Sequence, residues 1–325
     1  MKYPRRYLQL ACDVRFETPL LFPSFSSKGF PSVGSIFTAM QEFITDEVLV
    51  SAYDIYYEKI EPEFDFSTLI CVDSGGYEAS KDSELSEVYS TYEFNPLEWK
   101  QEFYREVIAN WNSEIPALFV SYDHPQERHT IADQIERAKS LSIPEGPNGL
   151  VLLLKPEKKD NKYVPIERVL ENVASMDGFA SIGVTEKEIG KSLEDRMRNI
   201  RKLRLALDEH FDGVPIHIFG SLDTFSCYLY FLSGADIFDG LTWLRYAFHD
   251  GDTLYRHQFG ALNLPSNKIA PHIETQCANH NYSEMTFMKN AMHRFRSDGD
   301  YRHFGRHHEG IAQLHKNLIA NEEED

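Results

Sequence analysis

The feature that most narrows what this chain can fold into is a repeated alternation. Short apolar runs rich in β-branched residues are separated by longer stretches whose apolar residues recur at helical spacing. This reads as βα units on a parallel sheet. The pattern predicts strands over Thr68–Val72, Ala117–Tyr122, Gly149–Leu154, Phe179–Val184, Val214–Phe219 and Ala235–Phe238, with fainter ones over Leu8–Val14 and Val48–Tyr53. Helices are predicted over Ser35–Ile44, Pro96–Trp111, Thr130–Ser140, Leu193–His210 and Leu222–Leu232. Eight strands fit an α/β fold of the (β/α)8 TIM-barrel type, and a doubly wound open sheet gives a similar pattern.

After Asp239 the alternation stops, and Asn281–Arg296 and His307–Ala320 read as helices. The expected organisation is a catalytic barrel over residues 1–270 and a helical C-terminal appendage over 271–325 packed on it, ending in the acidic tail Glu322–Asp325. A chain of 325 residues, 42% hydrophobic, supplies a full core. No stretch approaches the roughly 20 apolar residues of a membrane span. Cys12, Cys71, Cys227 and Cys277 are scattered, unlike the dense framework of a small secreted domain. The expectation is a soluble cytoplasmic protein with reduced thiols and no membrane partner.

The formal charge of -18 argues against a broadly basic nucleic-acid-binding face. It leaves local strips: Arg196, Arg198, Arg201, Lys202 and Arg204, and a second made of Arg294, Arg296, Arg302, Arg306, His307 and His308. Either reads as a phosphate-facing stripe. The first also reads as a solvated helix face balanced by Glu194, Asp195 and Asp208.

Asp73, Asp123 and Asp239 each end an apolar run. In a parallel barrel the strands' C-terminal ends share one rim, so carboxylates there converge. One carboxylate can then attack an anomeric carbon while a second exchanges protons with the leaving and arriving groups. A third, ionised, accepts paired hydrogen bonds such as those of guanine N1–H and N2–H2. Each Asp alone also reads as a helix cap or turn former. Gly75-Gly76 permits positive φ and close approach of a ligand, or a plain turn, and Tyr77 is placed to stack on a base.

On these residues the chain resembles the tRNA-guanine transglycosylase superfamily. Asp73-Ser74-Gly75-Gly76-Tyr77-Glu78 is similar to the family's D-S-G-G-[FY]-Q, Gly234-Ala235-Asp236-Ile237-Phe238-Asp239 to its G-[VI]-D-[ML]-F-D, and Tyr122-Asp123 to its F-D. Arg245 falls where the family's P-T-R closes, with Trp243 and Leu244 in place of Pro and Thr, and His124-Pro125 replaces the usual E-C. The similarity covers residues 68 to 245. It implies that Asp239 is the nucleophile that displaces guanine and Asp73 the general acid/base. Asp123 and Tyr77 would hold the base, with Ser74, Gly75, Gly76 and Arg245 lining the site. Lys155, near a base-reading Gln of the family, either reads the O6 or C7 substituent or is a solvated lysine. No cofactor is required, because one N-glycosidic bond replaces another.

The family's tRNA enzymes also carry zinc on C-x-C-x2-C and a distant His. Here Cys277 survives, with Asn279 and Tyr282 at the other thiol positions. A replacement set of Cys277 and His280 with two of His303, His307, His308 and His315 has a tetrahedral-compatible spacing. Loss of the motif, Glu78 in place of Gln and the lack of the Q-G-G segment turn the resemblance toward the shorter deoxypurine-in-DNA branch. Its members exchange guanine in DNA for a 7-deazaguanine such as preQ0, often within restriction-modification systems. That implies DNA in preference to tRNA as partner, a target guanine flipped into the barrel mouth, and a partner protein or the basic strips supplying DNA affinity. The rival readings are a metal-free enzyme acting on tRNA, a catalytically silent barrel subunit that binds nucleic acid, and a barrel glycoside hydrolase. Retention of both Asp73 and Asp239 disfavours the silent subunit, and a count of three Trp disfavours the hydrolase.

Overall fold

The structure, a computed structural model, describes residues 3–80, 94–124, 126–265 and 269–322. Pro125 and the end of the acidic tail therefore lie outside the described residues. Eight parallel strands close into a barrel: β1 (Leu20–Phe25), β2 (Glu47–Ser51), β3 (Leu69–Asp73), β4 (Ala117–Val120), β5 (Asn148–Leu154), β6 (Ser181–Thr185), β7 (Ile216–Phe219) and β8 (Ile237–Gly240). β8 pairs with β1, Ile237 opposite Leu20 and Asp239 opposite Phe22, which rules out an open sheet. The fold is a (β/α)8 TIM barrel with a helical C-terminal part.

Alternation along the strands sorts the core. Leu20 and Phe22, Leu69 and Cys71, Leu118 and Val120, and Val151 and Leu153 belong to one inner cluster. Their neighbours Leu21, Ile70, Val72, Phe119 and Leu152 join the larger cluster beneath the helices. The helices form where caps and apolar spacing coincide. Ser192 accepts from the Asp195 amide and opens Leu193–His210, whose Met197, Ile200, Leu203 and Leu207 turn inward. Thr130 does the same for Ile131–Lys139, which buries Ile131, Ile135 and Ala138.

The first barrel strand is not where the sequence places it. In place of a barrel strand over Leu8–Val14, Tyr7–Gln9 pairs antiparallel with Arg15–Glu17 in a separate hairpin. Leu8 and Leu10 join the inner cluster, so the hairpin plugs the N-terminal end of the barrel. The run Leu20–Phe25 takes the strand position. Its Pro23 and Ser24 weaken it as a strand signal, since proline removes a ladder donor.

The C-terminal part is dominated by the helix Ala270–Asp298, longer than the predicted Asn281–Arg296, followed by His308–Glu322. Asn281 anchors the long helix: its side chain accepts from the Phe248 amide at 2.7 Å and donates to the carbonyls of Trp243 and Tyr246. Lys289 adds a pair with buried Glu47 at 2.8 Å. Among the described residues no helix is long and apolar enough to cross a membrane.

The basic strips are largely engaged within the chain. Arg204 is fully buried. Arg196 pairs with Glu186, Arg198 with Glu194, Lys202 with Glu167, Arg296 with Glu17, Arg302 with Asp300, and Arg306 and His307 with Asp252. Asp236 clamps the start of β8. It accepts from Arg204 at 3.2 Å, Arg6 at 3.4 Å, Thr18 and the Ile216 amide. Replacing it leaves two buried guanidiniums with the half-exposed Asp208 as remaining counter-charge. Asp236→Ala is expected to cost about 3 kcal/mol or more in urea unfolding, as breaking a buried ion pair does. A loss below about 1 kcal/mol would show that the clamp contributes no more than a surface pair.

Candidate active site

Alternation that makes Leu20 and Phe22 lumenal also points Ser24 inward at the top of β1, Ser51 at the top of β2, Asp73 on β3, His217 on β7 and Asp239 on β8. Asp239 is buried and accepts three hydrogen bonds. Ser24 Oγ reaches its Oδ2 at 2.9 Å, and Oδ1 takes His217 Nε2 at 3.0 Å and the Gly220 amide at 3.3 Å. His217 is fully buried and its Nδ1 has no partner. A proton on Nδ1 would be stranded there, so the network assigns it to Nε2, which donates to Asp239. The ring is held by stacking on Phe219 at 3.7 Å between centroids. Asp239 is thus fixed in orientation by groups from the two strands that flank β8, and from the turn after β7.

Asp73 has weaker support: the hydrogen bond it accepts from the Ser74 backbone lowers its pKa but does not offset what raises it. Packed round by protein and open in part to the mouth, its carboxyl is raised to about 8 by burial first and then by the charges of Glu78, Asp239 and Asp123. Among the described residues no cation pairs with it. A carboxyl in this state carries a proton at neutral pH and can give it up.

The turn after Asp73 is shaped by its glycines. Gly75 has φ +84°, and a Cβ there would meet the Trp99 ring at 2.7 Å. A Cβ on Gly76 would stand 2.7 Å from the Asp123 carbonyl oxygen. Trp99 Nε1 donates to the Ser74 carbonyl at 2.9 Å, and the Asp123 amide to Ser74 Oγ at 3.2 Å. Ser74, Gly75 and Gly76 therefore lock the loops carrying Asp73 and Asp123 together. Tyr77 receives a hydrogen bond from Arg245 at 2.9 Å, and the Lys28 ammonium lies 4.4 Å from its ring centroid.

Asp123 and Lys155, separated by a strand in sequence, meet. Lys155 Nζ is 3.3 Å from Asp123 and 2.6 Å from Glu188. Burial works against the ammonium, but the two carboxylates outweigh it and raise its pKa. Lys155 is thus not a solvated lysine. Arg128 approaches Asp123 from the other side at 3.5 Å. Asp123, Lys155 and Arg128 border a cavity of about 270 Å³ lined also by His124, His129 and Gln134, which Asp73, Asp239 and Glu188 do not line.

The suggested metal ligands do not gather. His303 pairs with Asp298, His307 with Asp252 and His280 with Glu284. His308 Nδ1 lies against the Gly305 carbonyl, and His315 sits between the hydroxyls of Tyr3 and Tyr301. Cys277 is buried with its thiol toward the Tyr246 carbonyl. Among the described residues no three His, Cys, Asp or Glu side chains come together to hold a metal ion.

The sequence reading missed His217, Ser24, Arg128, Glu188 and Asp54. For His217 a signal exists, a polar residue inside the apolar run Ile216–Phe219, in phase with the lumen. Ser24 carries none. Asp54, raised to about 7 by burial and then by Glu78, stands on the short helix Ala52–Tyr56, which begins inside the predicted strand Val48–Tyr53. No family model matches the chain, and no curated protein does.

The raised carboxyl of Asp73 has a signed consequence for stability. Its folded value of about 8 lies above the ordinary 3.8, so the stability it contributes is complete below pH 4 and lost as pH rises through 8. Asp73→Asn should therefore gain thermal stability over the parent progressively between about pH 4 and 8, read as the difference in Tm. A difference independent of pH would show that Asp73 titrates normally.

Proposed function

We propose that this chain is a base-exchanging glycosyltransferase that replaces guanine in DNA by a 7-deazaguanine base. The observation that carries the reading is the pairing, at one barrel mouth, of a hydrogen-bond-fixed carboxylate, Asp239, with a proton-bearing one, Asp73. Opposed environments for two carboxyls are what separate acid from nucleophile. In this scheme an Asp239 oxygen bonds to C1′ as the C1′–N9 bond of guanine breaks, and the Asp73 proton goes to the departing base. The arriving base then returns a proton from its N9 to Asp73 as its new bond to C1′ forms and the Asp239 ester breaks. The exchange is balanced and consumes no oxidant or nucleotide triphosphate.

Asp123 supplies the acceptor edge for guanine N1–H and N2–H2. Its longer contact, to Arg128, is the one a bound base displaces, while Lys155 stays to face the O6 or C7 side. Tyr77, steadied by Arg245, lies beside the same mouth. DNA as acceptor follows from the branch that the motifs resemble. Because the cationic strips are engaged in internal pairs, a partner protein supplies much of the DNA affinity in this reading.

The test is incorporation of labelled guanine, and of preQ0, into duplex DNA and unmodified tRNA in parallel. DNA alone should be labelled, and Asp239→Ala should lower the rate at least about 10³-fold and abolish a trapped protein–DNA adduct. Labelling of tRNA alone overturns the choice of DNA. An adduct that survives Asp239→Ala overturns the nucleophile.

A further inference from the structure

Glu78 is a buried carboxylate at the mouth to which the exchange scheme gives no task. It lies on the short helix Gly76–Ala79 and is 2% exposed. Ser26 Oγ donates to its Oε1 in a short hydrogen bond, and Ser51 Oγ donates to Oε2 at 2.6 Å. Ser51 stands opposite Asp73 in the β2–β3 pairing, so the carboxylate it holds is carried to the side of Asp73. Two hydroxyls orient Glu78, and among the described residues no cation pairs with it. Its charged and titratable neighbours are Tyr53 and Asp54, with Lys59 beyond Asp54, and the buried Lys28 ammonium donates to the carbonyls of Tyr77 and Ser80 on either side of it. Asp73 is faced by Asp239 from β8, Asp123 from the loop after β4, Cys71 from its own strand and Tyr104 from the helix Gln101–Ala109.

We propose that Glu78 is a positioning residue for proton transfer: clamped by Ser26 and Ser51, its charge keeps the proton on Asp73 until a departing base takes it. The role in turnover rests on the exchange reading, but the electrostatic claim does not. Of the charges acting on Asp73, Glu78 ranks ahead of Asp239 and Asp123. Asp239 and Asp123 also have donors or cations of their own, whereas among the described residues Glu78 has its two hydroxyls alone. Proximity of a like charge in a water-poor site favours the protonated acid.

Glu78→Gln separates charge from latch. The amide oxygen accepts from one serine and the amide nitrogen donates to the other, so the clamp survives while the charge goes. Two readouts follow. The folded-state titration midpoint of Asp73, read as the pH above which Asp73→Asn gains no further stability over its parent and measured first in the natural background and again with Glu78→Gln present in both proteins, should fall by about one unit or more. In the exchange assay the alkaline limb of kcat/KM should move down by the same amount, so that Glu78→Gln is near the parent at pH 6 and about fivefold slower at pH 8. An unmoved midpoint, or an equal loss at every pH, overturns the proposal and leaves Glu78 a structural latch. If no exchange is seen with any substrate, the stability midpoint still decides the matter, and that failure belongs to the functional reading alone. Should Glu78→Gln not fold, Ser51→Ala, which removes one of the donors holding the charge, must lower the midpoint in the same direction.

Discussion

Pairing of β8 with β1 closes the barrel and sets the geometry of everything at its mouth. Once Ile237 lies beside Leu20 and Asp239 beside Phe22, the phase of every other strand is determined around the ring. Side chains then alternate between a lumen filled by Leu20, Phe22, Leu69, Leu118 and Val151 and an outer layer beneath the helices. The lumen is apolar at the end plugged by Leu8 and Leu10 and polar at the other, where Ser24, Ser51, Asp73 and Asp239 emerge. A one-residue slip at the closing pair would turn Asp239 outward, into the helix layer.

Burying carboxylates is costly, and the molecule meets that cost in distinct ways. Asp236 has two guanidiniums, Glu47 has Lys289, and Asp123 has Lys155 and Arg128. Asp239 has, among the described residues, no Lys or Arg partner but three donors aimed at its oxygens. Asp73 and Asp54 have no ion-pair partner among the described residues, and both are driven toward their protonated forms, to about 8 and about 7. Asp236 and Glu47 secure strands and the long helix. Asp73, Asp123 and Asp239 lie on one barrel rim and act on one another's charge.

The C-terminal helices serve the same opening indirectly. Asn281 satisfies backbone groups of Trp243, Tyr246 and Phe248, the segment that follows β8, and Trp243 in turn donates to the Ser24 carbonyl at 3.0 Å. A chain of hydrogen bonds thus runs from the long helix to the residue that steadies Asp239. Arg245, on the same segment, reaches Tyr77 on the far side of the mouth.

By itself the sequence determined an α/β fold of eight βα-type strands, most of those strands and the three aspartates at strand ends, because these depend on local periodicity and on which residue follows an apolar run; closure into a barrel rather than an open sheet was decided by the pairing of β8 with β1. It also placed the C-terminal helices, though not their length. Tertiary structure alone decided that Leu20–Phe25 rather than Leu8–Val14 is the first barrel strand, since closure rewards a run that can sit between β8 and β2 even with a proline in it. It decided that Arg204 and Arg296 are buried partners of Asp236 and Glu17 rather than a phosphate-facing stripe. It decided, too, that Ser24 and His217 are the hands on Asp239, contacts that for Ser24 span 215 residues of chain. Periodicity reports which way a side chain faces; what it meets there depends on residues far away in sequence, and only the closed barrel brings them within hydrogen-bond reach.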